Sequence, residues 1–170
     1  MLLANILFLL LSVASLPSGF EQALWGMTVA DLEKITDLHK ATPGSEYQYS
    51  EHMETNPDVY VSVQADRRVE YYFFRQRLYK IFVVYKRAYS NEADIDTHYG
   101  TLIKQQTDMF GNPHQSFQET VFGLNIKHTL WMSDDSILDV RYGAGFVYEV
   151  RIDRKAAAAK KLLQQFRRSI

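Results

Sequence analysis

The sequence predicts an α+β fold, with helices packed on one face of antiparallel sheet. Three observations carry this. Apolar residues alternate, or fill both faces, over Asp58–Ala65, 69–86 and Ser136–Ile152, with short polar breaks between. Asn91–Phe110 and Asp153–Ile170 instead repeat apolar residues at helical spacing. Aromatic residues make up 14% of the 170 positions, which suits strands.

The chain opens on MLLANILFLLLSVASL, which has no charged side chain, and Pro17-Ser18-Gly19 breaks the run. It is shorter than the roughly 20 residues that span a bilayer. Ser12-Val13-Ala14 offers small residues for signal peptidase, so residues 1–14 read as a signal peptide cut before Ser15. An uncleaved anchor and a buried helix are the other readings of such a run. An exported protein without cysteines fits the bacterial periplasm or exterior. The missing cysteines exclude disulfides, thiolate metal sites, a cysteine nucleophile and a lipid-anchor cysteine.

Thr28–Leu38 reads as a short helix, capped by Thr28, with Asp31 at the third helical position and Val29, Leu32 and Ile35 on one stripe. Residues 39–57 read as a polar loop, with Pro43-Gly44 and Asn56-Pro57 as turns. Asp58–Ala65 is a half-buried strand, with Val59, Val61 and Val63 on one side. Residues 69–86 read as two strands around a loop Arg75-Gln76-Arg77, which pairs Val69 with Val83, Tyr71 with Ile81 and Phe73 with Tyr79. The opposite face then carries Glu70, Tyr72, Phe74, Leu78, Lys80 and Phe82. Two readings of it stay open. It is core under a second layer, or it is an exposed aromatic patch that binds a partner. Tyr72, Phe74, Lys80 and Phe82 are therefore the candidate binding residues.

Asn91–Phe110 is the long central helix, with Ile95, Tyr99, Leu102, Ile103, Gln106, Met109 and Phe110 on its stripe and Gly111 ending it. Strands follow near 117–122 and 126–132. Ser136–Tyr142 and Phe146–Ile152 form a hairpin around Gly143-Ala144-Gly145. That loop pairs Tyr142 with Phe146, Val140 with Tyr148 and Leu138 with Val150, and leaves Asp139, Arg141, Glu149 and Arg151 on a wet face. A helix from Asp153 closes the chain, with Ala159, Leu162, Leu163, Phe166 and Ile170 as its apolar stripe. The layout suggests two similar helix-plus-sheet units, residues 20–90 and 91–170.

Two stretches resemble known families. Gly26-Met27-Thr28-Val29-Ala30-Asp31-Leu32 resembles the Gly-x-Thr-x-x-x-Leu entry to the first helix of SmpA/OmlA-type outer-membrane assembly proteins and of the tandem-repeat β-lactamase inhibitor protein. The aromatic hairpin, a helix ending Phe110-Gly111-Asn112-Pro113, and then Trp131 and Ile137, together resemble small secreted bacterial proteins of uncharacterised role. The resemblance implies a non-enzymatic envelope protein that binds another protein.

No motif points to catalysis, a cofactor or a metal. His39, His52, His98, His114 and His128 form no metal-ligand spacing. Asp134-Asp135 reads as a turn, and Gly143-Ala144-Gly145 joins strands, unlike a phosphate loop. An enzyme whose site is assembled from scattered residues stays open. A formal net charge of −1 argues against nucleic acid. Partners narrow to another envelope protein or an extended peptide. A second class is an anionic membrane surface met by residues 154–170, where Arg154, Lys155, Lys160, Lys161, Arg167 and Arg168 make a basic helix.

Overall fold

A computed structural model describes residues 16–42, 44–45 and 58–168, the last three by backbone alone. The expected signal peptide, Pro43, the Asn56-Pro57 turn, His52 and the apolar positions Phe166 and Ile170 lie outside that description.

Eight strands form one antiparallel sheet. In chain order the elements are β1 (Gly19–Phe20), β2 (Ala23–Leu24), α1 (Val29–Leu32), β3 (His39–Lys40), β4 (Asp58–Val63), β5 (Arg67–Phe74) and β6 (Arg77–Tyr85). Then come α2 (Glu92–Phe110), β7 (Gln115–Val121), β8 (Leu124–Met132), β9 (Ser136–Gly143), β10 (Phe146–Asp153) and α3 (Arg154–Arg168). The spatial order is β3-β4-β5-β6-β10-β9-β8-β7, with β1 and β2 as a separate two-stranded ribbon. Each side of the β6–β10 seam is a meander preceded by a helix.

Three loops set the registers. Arg75-Gln76, Phe122-Gly123 and Ala144-Gly145 each join two strands with φ positive at both residues, from 50° to 80°. These turns match the right-handed strand twist. Only two of the three end in glycine, so Arg75-Gln76 is invisible to a glycine rule. The expected three-residue loop there is corrected to two. Val69 still faces Val83 and Tyr71 still faces Ile81, because a bulge beside Tyr72 and Phe73 restores the missing residue. Phe73 then faces Leu78, and the extra residue Tyr79 turns to the same side as Lys80.

The last hairpin departs further. Gly143 belongs to β9 because the strands crowd it: a Cβ there would come within 3.0 Å of the Ile126 side chain. The loop shrinks to Ala144-Gly145, and Val140 faces Glu149 while Leu138 faces Arg151. The expected greasy and wet faces are thus mixed. Glu149 and Arg151 share a face with Leu138 and Val140, while Asp139 and Arg141 share the other with Tyr148 and Val150.

The front face carries α1 and α2. Val69, Tyr71, Phe73, Leu78, Ile81 and Val83 pack with Leu32 and the ribbon residues Phe20 and Ala23. Trp131, Leu138, Val140 and Val147 pack with Ile95 and Leu102 of α2. Thr28 caps α1 through a full capping box with Asp31, but the helix ends at Leu32 instead of running to Leu38. The chain turns away there, and Thr36 meets Ser62 of β4 at 2.8 Å. His39 and Lys40 then pair with β4 where a loop was expected. On α2 the stripe holds except at Met109, which is 51% exposed.

The back face carries α3. Ala156 and Ala157 pack over Val59, Tyr72, Tyr79, Phe82 and Val150. The expected stripe is therefore rotated: Ala159 points to solvent and Leu162 is 67% exposed. Asp153 caps the helix, accepting from the amides of Lys155 and Ala156 at 2.9 and 3.1 Å.

Candidate functional site

Tyr72, Lys80 and Phe82 are buried, and Phe74 is half-buried. What covers them is α3 together with the neighbouring strands. Tyr72 donates to Glu70 Oε2 at 2.8 Å, and the Lys80 ammonium sits 4.1 Å from the Tyr72 ring centre. The Phe82 ring stacks on Tyr148 at 5.1 Å. Lys160 of α3 reaches down to the Tyr79 hydroxyl at 2.5 Å. Of the two readings of this face, the folded chain adopts the core one.

The same face stays open on the other side of the seam. Beyond α3 the back surfaces of β7, β8, β9 and β10 present Phe117, Glu119, His128, Asp139, Arg141, Phe146 and Tyr148. Strand alternation puts all seven on one side. Phe117 lies flat on the His128 ring, with centres 4.6 Å apart and planes 2° from parallel. His128 is almost wholly buried between two carboxylates. Its Nδ1 is 3.0 Å from Asp139 Oδ2 and its Nε2 is 3.1 Å from Glu119 Oε1, the second contact lacking hydrogen-bond alignment. Arg141 Nε donates to Asp139 Oδ2 at 2.6 Å, and its guanidinium lies 5.9 Å from the Tyr148 ring centre. Burial pushes the Tyr148 phenol up, with Arg141 opposing. Phe146 is 53% exposed at the end of the strip. The Phe117 and Tyr148 rings thus lie against His128 and Arg141, both of which are bound to Asp139 beneath them.

The front of the seam holds a second polar group. Glu149 is 1% exposed; its Oε2 accepts from Arg151 at 2.8 and 3.1 Å, and its Oε1 accepts from Tyr85 at 2.8 Å and Gln106 at 3.3 Å. Burial and the Glu149 charge drive the Tyr85 phenol far up. This knot is interior and joins the helix-covered cores on either side. An open cleft of about 370 Å³ lies near the N-terminus of α2, lined by Glu92, Lys127, Tyr142 and the two hairpin tips.

The remaining candidates have structural places. Asp135 takes an ion pair from Lys155 at 2.6 Å, and its carbonyl accepts from the Arg154 amide, so Asp134-Asp135 is the turn that docks the start of α3. His98 meets the Tyr89 hydroxyl at 2.6 Å, and burial lowers its pKa. His114 accepts from the Met132 amide at 3.2 Å, and His39 approaches Asp37 at 3.3 Å. Among the described residues no three His, Asp or Glu side chains are grouped to hold a metal. Arg154, Lys155 and Lys160 of the basic helix are each engaged with the protein itself. No helix among the described residues is long and apolar enough to cross a membrane.

The fold and site define an α+β protein built on one continuous eight-stranded sheet, with helices α1 and α2 on its front face and its back face covered only in part by α3. No family model, curated protein or solved structure matches the chain. Sequence reading missed the open strip. Asp139 and Arg141 carried the signal, as charged residues inside an apolar strand, but the expected register put them on one wet face with Glu149 and Arg151 instead of beside Tyr148.

Proposed function

We propose that the chain is an exported binding module that captures another protein on the open strip of its back face. The observation that carries this is the pairing of exposed aromatic area, Phe117 and Phe146, with the half-buried Tyr148 and the guanidinium of Arg141 held by Asp139. Aromatic rings and arginine dominate the energetic centres of protein interfaces. Rings already held in place lose little freedom on binding. The charges beneath the strip supply orientation, since Arg141 is half-exposed while Asp139 balances it. Export rests on the apolar leader and its small-residue cleavage signal, and the absence of cysteine agrees with a bacterial envelope. The two meanders, each led by a helix, support an origin by duplication, as does the likeness of the entry helix to two-unit envelope proteins.

The test is capture from native envelope extract by the chain beginning at Ser15, beside Arg141→Ala and Phe146→Ala versions of it. One protein enriched in proportion to bait, and lost with either substitution while the melting temperature holds, supports the reading. Equal capture by all three baits, or none by any folded bait, refutes it.

A further inference from the structure

The two borders of the sheet are unlike. At one border β3 is two residues long, and its Lys40 is paired with Asp58 at 3.6 Å. At the other, β7 runs for seven residues, Gln115–Val121, with six of them exposed and Val121 half-buried. Short length, lysine, proline and bulges are the devices that stop a sheet edge from recruiting another strand. Within Gln115–Val121 there is no Lys, Arg or Pro. Its ladder to β8 is unbroken over all seven residues, so the strand is straight and its outer amides and carbonyls form a regular template. At one end of β7 the hairpin tip holds Phe122 at 91% exposure, with Leu124 half-exposed beside it. At the other end lie Pro113, half-buried, and His114, exposed.

We propose that β7 pairs antiparallel with β7 of a second copy of this chain, about a two-fold axis through Gln118. The strand is self-complementary in that register. Gln118 opposes its own copy, and an amide side chain both donates and accepts. Phe117 opposes Glu119 of the other copy, Ser116 opposes Thr120, and Gln115 opposes Val121. The only charge on the strand, Glu119, then faces a ring instead of a like charge. A centre moved to Glu119 would set two carboxylates opposite each other. The two Phe117 rings become diagonal neighbours, within aromatic reach. Phe122 of each copy falls near His114 and Pro113 of the other, so the exposed ring at one end of the strand meets an imidazole and a proline ring at the other. The isologous contact closes on itself and continues the sheet from eight strands to sixteen. This interface shares Phe117 and Glu119 with the strip proposed above, while Arg141, Phe146 and Tyr148 lie off the edge, so the edge variants below leave those three unchanged.

The absence of cysteine makes the register directly readable. With Gln118→Cys the two sulfurs meet on the axis, where opposed Cα atoms about 4.5–5.5 Å apart suit a disulfide. With Ser116→Cys the two cysteines are four residues out of step, about 13 Å along the strand. We expect sedimentation equilibrium of the chain beginning at Ser15 to give twice its monomer mass in the micromolar range. Gln118→Cys should oxidise to a covalent dimer and Ser116→Cys should stay monomeric on a non-reducing gel. Thr120→Lys, which adds an edge charge, should sediment as a monomer with an unchanged far-ultraviolet circular dichroism spectrum, and its melting temperature should no longer rise with protein concentration as the wild type's does. A monomeric wild type refutes the proposal and leaves the edge for a foreign strand. Equal cross-linking at 116 and 118, or a Thr120→Lys chain that folds and still dimerises, also overturns it.

Discussion

Glu149→Ala should cost far more than one surface carboxylate. The substitution strands Arg151, which is 8% exposed, without its counter-charge and leaves the Tyr85 hydroxyl and Gln106 amide short of an acceptor. Breaking a buried ion pair by removing one partner costs about 3–5 kcal/mol. The lost hydrogen bonds are part of that figure, since the same carboxylate makes them all, so we expect about 4 kcal/mol. At a urea slope of about 2 kcal/mol per molar, the unfolding midpoint falls by about 2 M. Replacing both ends with apolar groups, Glu149→Leu with Arg151→Met, should recover most of the loss, because well-packed hydrophobes stand in for a buried pair at little or no cost. The assay is equilibrium urea unfolding of wild type, Glu149→Ala and the double variant, read by tryptophan fluorescence. A single-variant loss below about 1 kcal/mol, or a double variant as unstable as Glu149→Ala, refutes the argument that an uncompensated charge is what the fold cannot tolerate.

Two further outcomes follow from the packing. Tyr72→Ser with Phe82→Ser should unfold the chain at room temperature, since truncating each buried ring costs about 3–5 kcal/mol and the total stability of a domain is only about 5–15; a folded double variant by circular dichroism would mean that α3 does not seal that face. In an alkaline titration followed by phenolate absorbance, Tyr71 should ionise only near pH 12, because burial pushes its phenol up to about 12, and Tyr85 should ionise later still. The favoured neutral form of Tyr71 stabilises the fold fully below about pH 10 and is lost as pH rises from about 10 to 12. Complete ionisation of all eleven tyrosines by pH 11 without unfolding would contradict the burial.

What the residues disclosed in advance was periodicity, and what they concealed was register. The α2 helix shows both its cap, Asn91, and its stop, Gly111, because each residue type does local work there. The β5–β6 face was legible for Val69 and Tyr71, whose partners follow from alternation alone. The β9–β10 hairpin was not, because Gly143-Ala144-Gly145 fits a three-residue loop as well as a strand end followed by a two-residue turn. The fold sets Gly143 against Ile126 of β8, a neighbour more than fifteen positions away that the local sequence does not reveal. One step of register separated the four charged residues into two pairs on opposite faces, and set Asp139 and Arg141 beside Tyr148. The placement of α3 was hidden for a related reason. Its most apolar stripe includes Leu162, yet small alanines let the helix sit close to Tyr72 and Phe82, and that close contact orients it.

The seam between β6 and β10 has a consequence for how the chain reaches this shape. On either side of it, neighbouring strands are joined by turns of a few residues once β4 has begun, so each meander can zip from its own loops within a small stretch of chain. The seam is different: Val84 waits for Tyr148, more than sixty positions later, and the residues between must already have been made before it can form. Closing so long a loop carries an entropy cost that short hairpins avoid. During synthesis the first meander therefore emerges with β6 as a bare edge and Tyr72 and Phe82 uncovered, and β10 and α3 are what seal both. A chain stalled before them would display the stickiest strand it owns.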